Sequence, residues 1–161
     1  MNLGEWLDSK KKDDFYLMHL SYGDKNRRVN LEERERLWNF ALGKNPTGRN
    51  LIGLDWPDEV KTDWNNLTDT EKQAVSIPWP SQFNLFCNEM IADDDVVIVN
   101  GIFYFLGLAV LTEQEYHYDR KLTGKRGSGF FDHLRNVEWK TKHDYEGTPY
   151  PDHFMVSIEQ F

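Results

Sequence analysis

The sequence predicts a single mixed α+β domain, and three stretches carry that prediction. An apolar run lies on each side of Asn100-Gly101 in the segment Asp93–Val110, DDDVVIVNGIFYFLGLAV. Asn-Gly is the strongest short-range signal for a two-residue hairpin turn, because both residues tolerate positive φ. Helical periodicity of the apolar residues over 31–42 and 81–90 predicts two helices beside this hairpin.

The hairpin is expected at the centre of a β-sheet. Its strands are apolar at nearly every position and do not alternate, which indicates that both faces are covered. Phe15–Leu20 is short and apolar and predicts a buried first strand, and Leu51–Leu54 predicts a second. The alternation of Val137 and Trp139 indicates another strand, and Phe154–Ile158 is expected to close the sheet as an edge strand.

The helices have recognisable ends and faces. Asn30 followed by Glu33 is a capping-box pattern, and Gly43 is a plausible stop for the first helix, whose apolar face includes Trp38. From Asp55 to Pro80 the chain is polar and punctuated, so short helical turns are expected. The second helix is predicted to bury four side chains that recur at i, i+3, i+4 and i+7: Phe83, Phe86, Cys87 and Met90.

Composition limits the functional classes. A chain of 161 residues suits one domain, here 1–161 with a core of about 14–158. The single Cys87 excludes an internal disulfide framework and a Cys-rich metal site, and no stretch is long and apolar enough to cross a membrane. We therefore expect a soluble, cytoplasmic protein without a membrane partner. Motifs for phosphate cradles, nucleophile elbows and paired-His zinc sites are absent, so no enzyme, cofactor or metal is expected.

The charge is unevenly distributed. The net charge of −8 opposes binding to phosphate, but residues 120–142 contain seven Lys or Arg and only two Asp or Glu. Such a run is also typical of a solvated loop. If it binds nucleic acid, five of its side chains are the expected backbone contacts: Arg120, Lys121, Lys125, Arg126 and Arg135.

Aromatic residues fall at the predicted strand ends. Trp56 follows the second strand, Tyr22 the first, and Tyr116 and Tyr118 the hairpin. If the sheet curls into a small barrel, these ends meet at one rim and form a pocket with aromatic walls. Stacking is worth about 1–3 kcal/mol per base, which offsets the few kcal/mol needed to flip a base from a duplex. Ordinary packing of rim aromatics is the alternative reading.

The order of four motifs carries a resemblance to a known family. FYLMHL, GLDWPDEV, NEMIADDDVVIVNGIFYFLGLAVLTEQEYHYD and HLRNVEW together resemble the EVE and YTH-like domains of the PUA-like superfamily, over roughly residues 14–142. The resemblance is greatest to the N-terminal specificity domains of McrB-type modification-dependent restriction proteins. It implies a small twisted β-barrel flanked by helices, which holds a flipped or unpaired modified base in an aromatic cage.

The resemblance assigns roles to residues at two strand ends. Trp56 matches the cage tryptophan that follows the second strand. Asp55 and the carbonyl of Pro57 match groups that read the base edge. Ser21 and Tyr22 fall where the family supplies further polar contacts. These roles are implied by the family pattern and not by spacing alone.

The second wall of the cage departs from the family pattern. The loop after the hairpin often carries a Trp in YTH-like domains, whereas this chain offers Tyr116 and Tyr118, of which Tyr116 is the predicted wall. Trp139 matches a structural strand position and is left out of the site.

The resulting hypothesis is a reader of modified DNA without catalytic activity of its own. N6-methyladenine is preferred over methylated cytosine, and the partners implied are modified double-stranded DNA and, in a full-length protein, an AAA+ NTPase assembly and a nuclease subunit. One alternative is a reader of modified RNA. The other is an RNA-processing enzyme on a PUA-like barrel, with His117, Lys121 and Tyr116 as acid–base groups.

Overall fold

The chain folds as a mixed α+β domain around a curled half-barrel sheet, as seen in a computed structural model. The structure describes residues 2–20, 31–54, 60–101, 104–119 and 132–148. This confirms the predicted α+β class. The predictions for the cap at Asn30 with Glu33 and for the strand Phe154–Ile158 lie outside the described residues and side chains.

Six strands and four short α-helices make up the described part. The strands are β1 (Phe15–His19), β2 (Leu51–Leu54), β3 (Val96–Asn100), β4 (Phe105–Leu111), β5 (His117–Tyr118) and β6 (His133–Lys142). The helices are α1 (Leu3–Asp8), α2 (Leu31–Ala41), α3 (Asp69–Gln73) and α4 (Trp79–Asn84), with 3-10 turns at Lys12–Asp14 and Trp64–Asn66 and a π-helical turn at Leu85–Glu89. None of the described helices is long and apolar enough to cross a membrane.

The sheet has the order β1-β3-β4-β6-β2, and β5 pairs with the first residues of β6. The β1–β3 pair is parallel and the other pairs are antiparallel. The predicted hairpin therefore supplies two interior strands, β3 and β4, which confirms its central position.

The predicted two-residue turn of the hairpin is wrong. Asn100 pairs with Phe105, so four residues connect the strands, and the N–H of Gly101 donates to the carbonyl of Tyr104 at 2.8 Å. Core packing explains this register, because Val99 pairs with Gly107, and a Cβ at Gly107 would lie 3.1 Å from Cε3 of Trp139. A glycine is needed opposite the indole, and the pairing that places it there overrides the local turn signal.

The first strand is at the edge of the described sheet and is only partly buried, so the prediction of a buried strand is wrong. Among the described strands only β3 pairs with β1. Tyr16 and Met18 pack against the core, whereas Leu17 is 58% exposed. A short apolar run has the same sequence pattern in a central and in an edge strand, so the pattern alone could not separate them.

Helix α2 covers the inner face of the sheet and confirms the prediction for Trp38. The Trp38 indole is buried, donates from Nε1 to the carbonyl of His143 at 2.7 Å, and meets the Trp139 ring edge-on at 4.8 Å. Trp139 donates in turn to the carbonyl of Ala41. Gly43 follows the helix with a φ of +91°, a conformation that glycine adopts without strain and that ends helices.

The region between β2 and β3 also follows the sequence pattern. In its described part, from Val60 onward, it contains only short helical segments, as predicted. α4 starts at Trp79 and continues into the π-helical turn. The four side chains predicted for its apolar face are all buried: Phe83, Phe86, Cys87 and Met90.

Candidate nucleic-acid-binding site

Two of the predicted strand ends come together at the start of β6. His133 pairs with Leu54, the last residue of β2, and on its other side with Tyr118, the last residue of β5. Paired residues point to the same face of a sheet, so Leu54 and Tyr118 flank the His133 side chain. The chain thus leaves β2, just before Asp55, at the same end of the sheet as Tyr118.

Tyr118 is held in place at both ends of its side chain. Its ring centroid lies 4.9 Å from that of His133, with the planes tilted by 48°. Its hydroxyl donates to the carbonyl of Lys61 at 2.5 Å. The residue is half-buried. A partly exposed, anchored aromatic ring is a suitable wall for a flat heterocycle.

Tyr116, the predicted second wall, is an interior residue. It is only 9% exposed, and its ring stacks on His133 with the centroids 5.8 Å apart. Its hydroxyl oxygen accepts from the N–H of Trp64 at 2.9 Å and bonds to Nδ1 of His133 at 2.9 Å. Burial raises the pKa of this phenol well above its ordinary value. The assignment of Tyr116 to an open cage is therefore wrong, because its ring and hydroxyl are used within the core.

His133 forms the polar floor under Tyr118 and was missed by the sequence analysis. Its Nε2 lies 3.2 Å from the carbonyl of Val60, which can only accept, so the proton belongs on Nε2 and Nδ1 accepts from Tyr116. The side chain is buried, and this burial lowers its pKa, which keeps the imidazole neutral near pH 7. A lone His in a strand carries no signal for such a role.

Arg135 is a second correction. It was predicted to contact the nucleic-acid backbone, but it is completely buried. Nη1 donates to the carbonyl of Phe86 at 2.7 Å, and Nη2 donates to those of Met90 at 3.3 Å and Glu113 at 3.2 Å. Phe86 lies in the π-helical turn and Met90 directly follows it. The last carbonyls of a helix have no helical partner, and a guanidinium can donate to them. This side chain caps a helix and is not available to phosphate.

The remaining predicted site residues lie outside the described part of the chain: Ser21, Tyr22, Asp55, Trp56, Pro57, Arg120, Lys121, Lys125 and Arg126. Ser21 and Tyr22 follow β1, and Asp55, Trp56 and Pro57 follow β2. The ends of these two strands are far apart. Leu20, after β1, donates its N–H to the carbonyl of Asn100, at the end of the sheet where β6 finishes. Leu54 lies where β6 begins. Leu20 and Leu54 therefore lie at opposite ends of the sheet, and the ends of β1 and β2 do not share one rim as predicted.

No catalytic arrangement is found among the described residues. His117 lies 3.5 Å from a carboxylate oxygen of Glu113 at the surface, whereas Tyr116 is inside the protein, so the two do not converge. Cys87 is buried, which confirms it as a core residue, and this burial raises the pKa of its thiol to about 12. Within the described ranges, no group of three or more His, Cys, Asp or Glu is placed to hold a metal ion.

No family model, curated protein or solved structure is significantly similar to this chain. The resemblance to EVE and YTH-like domains therefore stays a prediction from sequence motifs.

Proposed function

We propose that this domain reads modified DNA by holding a flipped, methylated base between Trp56 and Tyr118, with N6-methyladenine as the preferred base. The observation that carries this proposal is the convergence of β2 and β5 on His133. Trp56 lies two residues beyond Leu54, and Leu54 pairs with the same residue of β6 as the anchored Tyr118, on the opposite side of it. Tyr118 replaces Tyr116 as the second wall.

The chemistry of the cage accounts for selectivity. Stacking of a base is worth about 1–3 kcal/mol, and burial of one methyl group adds about 0.8 kcal/mol. A carbonyl near Trp56, such as that of Pro57, would accept the remaining hydrogen of the methylated exocyclic amine. Asp55 would read the base edge. An unmethylated adenine would lose the methyl contribution, and a methylated cytosine would offer less stacking surface.

The position of the basic stretch supports phosphate binding at the same place. Arg120 follows Tyr118 by two residues, and Lys121, Lys125 and Arg126 come after it. Basic side chains that start at the rim of a base pocket can hold the phosphates on either side of the flipped nucleotide. The acidic remainder of the chain would repel other parts of the duplex and favour one binding mode.

In this proposal the domain is the specificity module of a McrB-type restriction system and has no catalytic activity of its own. An AAA+ NTPase assembly and a nuclease subunit would then act on the DNA that the domain has selected. The assignment to a restriction system depends on the motif resemblance alone. The proposal that the domain binds a flipped base depends on the resemblance together with the convergence of β2 and β5 on His133.

Binding to matched oligomers tests the proposal. Duplexes of one sequence, either plain or carrying N6-methyladenine or methylated cytosine, are compared by fluorescence anisotropy with RNA of the same sequence. Trp56→Ala is expected to abolish the preference for the methylated duplex. Trp6→Ala is the matched control, because Trp6 contacts Lys10 and Lys140 through its ring, away from the site, and should retain the preference.

Variants of Tyr118 identify the second wall. Tyr118→Ala should weaken binding of the methylated duplex by about 5–150-fold, the equivalent of about 1–3 kcal/mol of stacking. Tyr118→Phe keeps the ring but loses the bond to the Lys61 carbonyl, so it should retain more of the affinity than Tyr118→Ala and less than the wild type. An unchanged preference in both Trp56→Ala and Tyr118→Ala would refute the cage. A stronger preference for methylated RNA would show that the reader acts on RNA.

A further inference from the structure

The outer edge of β1 has the properties of a docking site for another strand. Leu20 donates its N–H toward β3, and amides alternate in direction along a strand, so the N–H groups of Leu17 and His19 point to the other edge. No described strand lies on that edge. A row of outward amides beside a Leu that is 58% exposed is a ready template for strand addition.

An apolar row on the outer face of the sheet ends at this edge. Leu17 pairs with Ile98, and Ile98 pairs with Leu108, so the three side chains point to one face. Ile98 and Leu108 are half-buried and do not belong to the main core. A strand that added an apolar side chain beside Leu17 would extend this row and cover its exposed end.

The described chain ends at the side of the sheet from which such a strand would enter. A Cβ on Gly147 would lie 3.1 Å from Cβ of Tyr104, in the connection that follows Asn100, and Asn100 pairs with His19. Three strand spacings, roughly 14 Å, separate β4 from the open side of β1. Six residues lead from Thr148 to Phe154 and can span roughly 20 Å.

We propose that Phe154–Ile158 adds to the sheet as a strand antiparallel to β1, with Val156 opposite Leu17. Both segments have five residues. Phe154, Val156 and Ile158 would then lie on the outer face with Leu17, while Met155 and Ser157 would point to the inner face. The occupant is this segment and not a second copy, because its attachment a few residues away gives it a high effective concentration.

Amide hydrogen exchange, measured residue by residue by NMR on the full chain, tests this pairing. Leu17 and His19 should exchange slowly, although no described strand covers their N–H groups. Val156→Pro removes the N–H that would donate to the Leu17 carbonyl, so exchange at Leu17 and His19 should accelerate at least about tenfold. Val156→Thr is the matched control, because it keeps the N–H and the branched shape and should retain the protection.

Met18 reports on folding in the same spectra, because its N–H points to β3 and should stay protected in both variants. Fast exchange at Leu17 and His19 in the unaltered chain would overturn the proposal. So would slow exchange that Val156→Pro leaves unchanged. Protection that rises with protein concentration would also overturn it, because a second copy would then be the occupant.

Discussion

Replacing Arg135 by alanine should destabilise the fold and leave the salt dependence of DNA binding unchanged. The side chain is completely buried and donates to three carbonyls, those of Phe86, Met90 and Glu113. A residue that contacted phosphate would behave in the opposite way, since its loss would lower affinity and salt dependence while the fold kept its stability. This substitution therefore separates the two roles.

The magnitude follows from the three carbonyls, of which that of Met90 keeps a second donor, Nε2 of Gln114, and that of Glu113 is only partly buried. Each buried acceptor left without a donor costs about 1–3 kcal/mol, and truncation of the side chain adds a cavity. Because Arg135 Nε has no hydrogen-bond partner, the wild-type side chain already carries part of its desolvation cost. The net loss should be about 3–5 kcal/mol, because the carbonyls without a donor and the cavity together outweigh the desolvation cost that is removed with the guanidinium. For a chain of this size, that loss lowers Tm by roughly 6–20 °C.

Thermal and urea unfolding followed by tryptophan fluorescence measure this loss. Arg36→Ala is the matched control, because Arg36 forms an exposed i,i+4 ion pair with Glu32 and its removal should cost about 0.5 kcal/mol or less. Arg135→Met retains volume but no donors, and should also be destabilised. If Arg135→Ala unfolds like the wild type and binds DNA with a reduced salt slope, the helix-capping role is refuted.

Three further predictions concern packing, pH and charge. Gly107→Ala should cost about 1–3 kcal/mol in urea unfolding, because the new Cβ would lie 2.6 Å from the carbonyl oxygen of Thr141, whereas Gly101→Ala meets only ordinary contacts and should cost little. The pKa of His133 is lower in the folded protein than in the unfolded chain, so the neutral imidazole contributes fully to stability above the ordinary histidine pKa. This contribution is lost as the pH falls from the ordinary pKa through the lowered one. Unfolding midpoints at pH 7.5 and 5.5 should therefore differ more in the wild type than in His133→Gln. In the double variant Lys125→Ala with Arg126→Ala, the affinities for plain and methylated duplexes should fall by the same factor, and affinity should depend less on salt. A loss of affinity confined to the methylated duplex would contradict this prediction.

The fold was predictable from the sequence where the pattern has a local cause. α2 was identified from its periodicity and from Gly43, whose φ of +91° ends it. The central position of β3 and β4 followed from their continuous apolar character. The turn between them was not predictable, because the register is decided by Trp139 packing on Gly107, a contact between residues distant in sequence.

The candidate site was predictable only at the level of segments. The approach of the β2 end to Tyr118 follows the order of the motifs, and the structure brings Leu54 and Tyr118 to the same residue of β6. Strand alternation does not separate Tyr116 from Tyr118, because the two are two residues apart and both rings contact His133. Tyr116 is buried through its bond to Trp64, 52 residues earlier in the chain, and neither tyrosine carries a local signal for this. The burial of Arg135 was hidden for a similar reason, because two of its three acceptors come from a helix end 45 and 49 residues earlier in the chain.

The interior position of Tyr116 sharpens the functional hypothesis. Tyr116, His133 and Val60 form one buried hydrogen-bonded chain, and Tyr118 rests on that chain through the His133 ring. A rigid floor of this kind fixes the plane of Tyr118, and a wall fixed in advance loses less entropy when a base stacks on it. In the proposed site, Tyr116 would therefore support the wall from below. It follows that Tyr116→Phe, which removes only the hydroxyl, should weaken base binding through Tyr118 while the stacking surface itself remains intact.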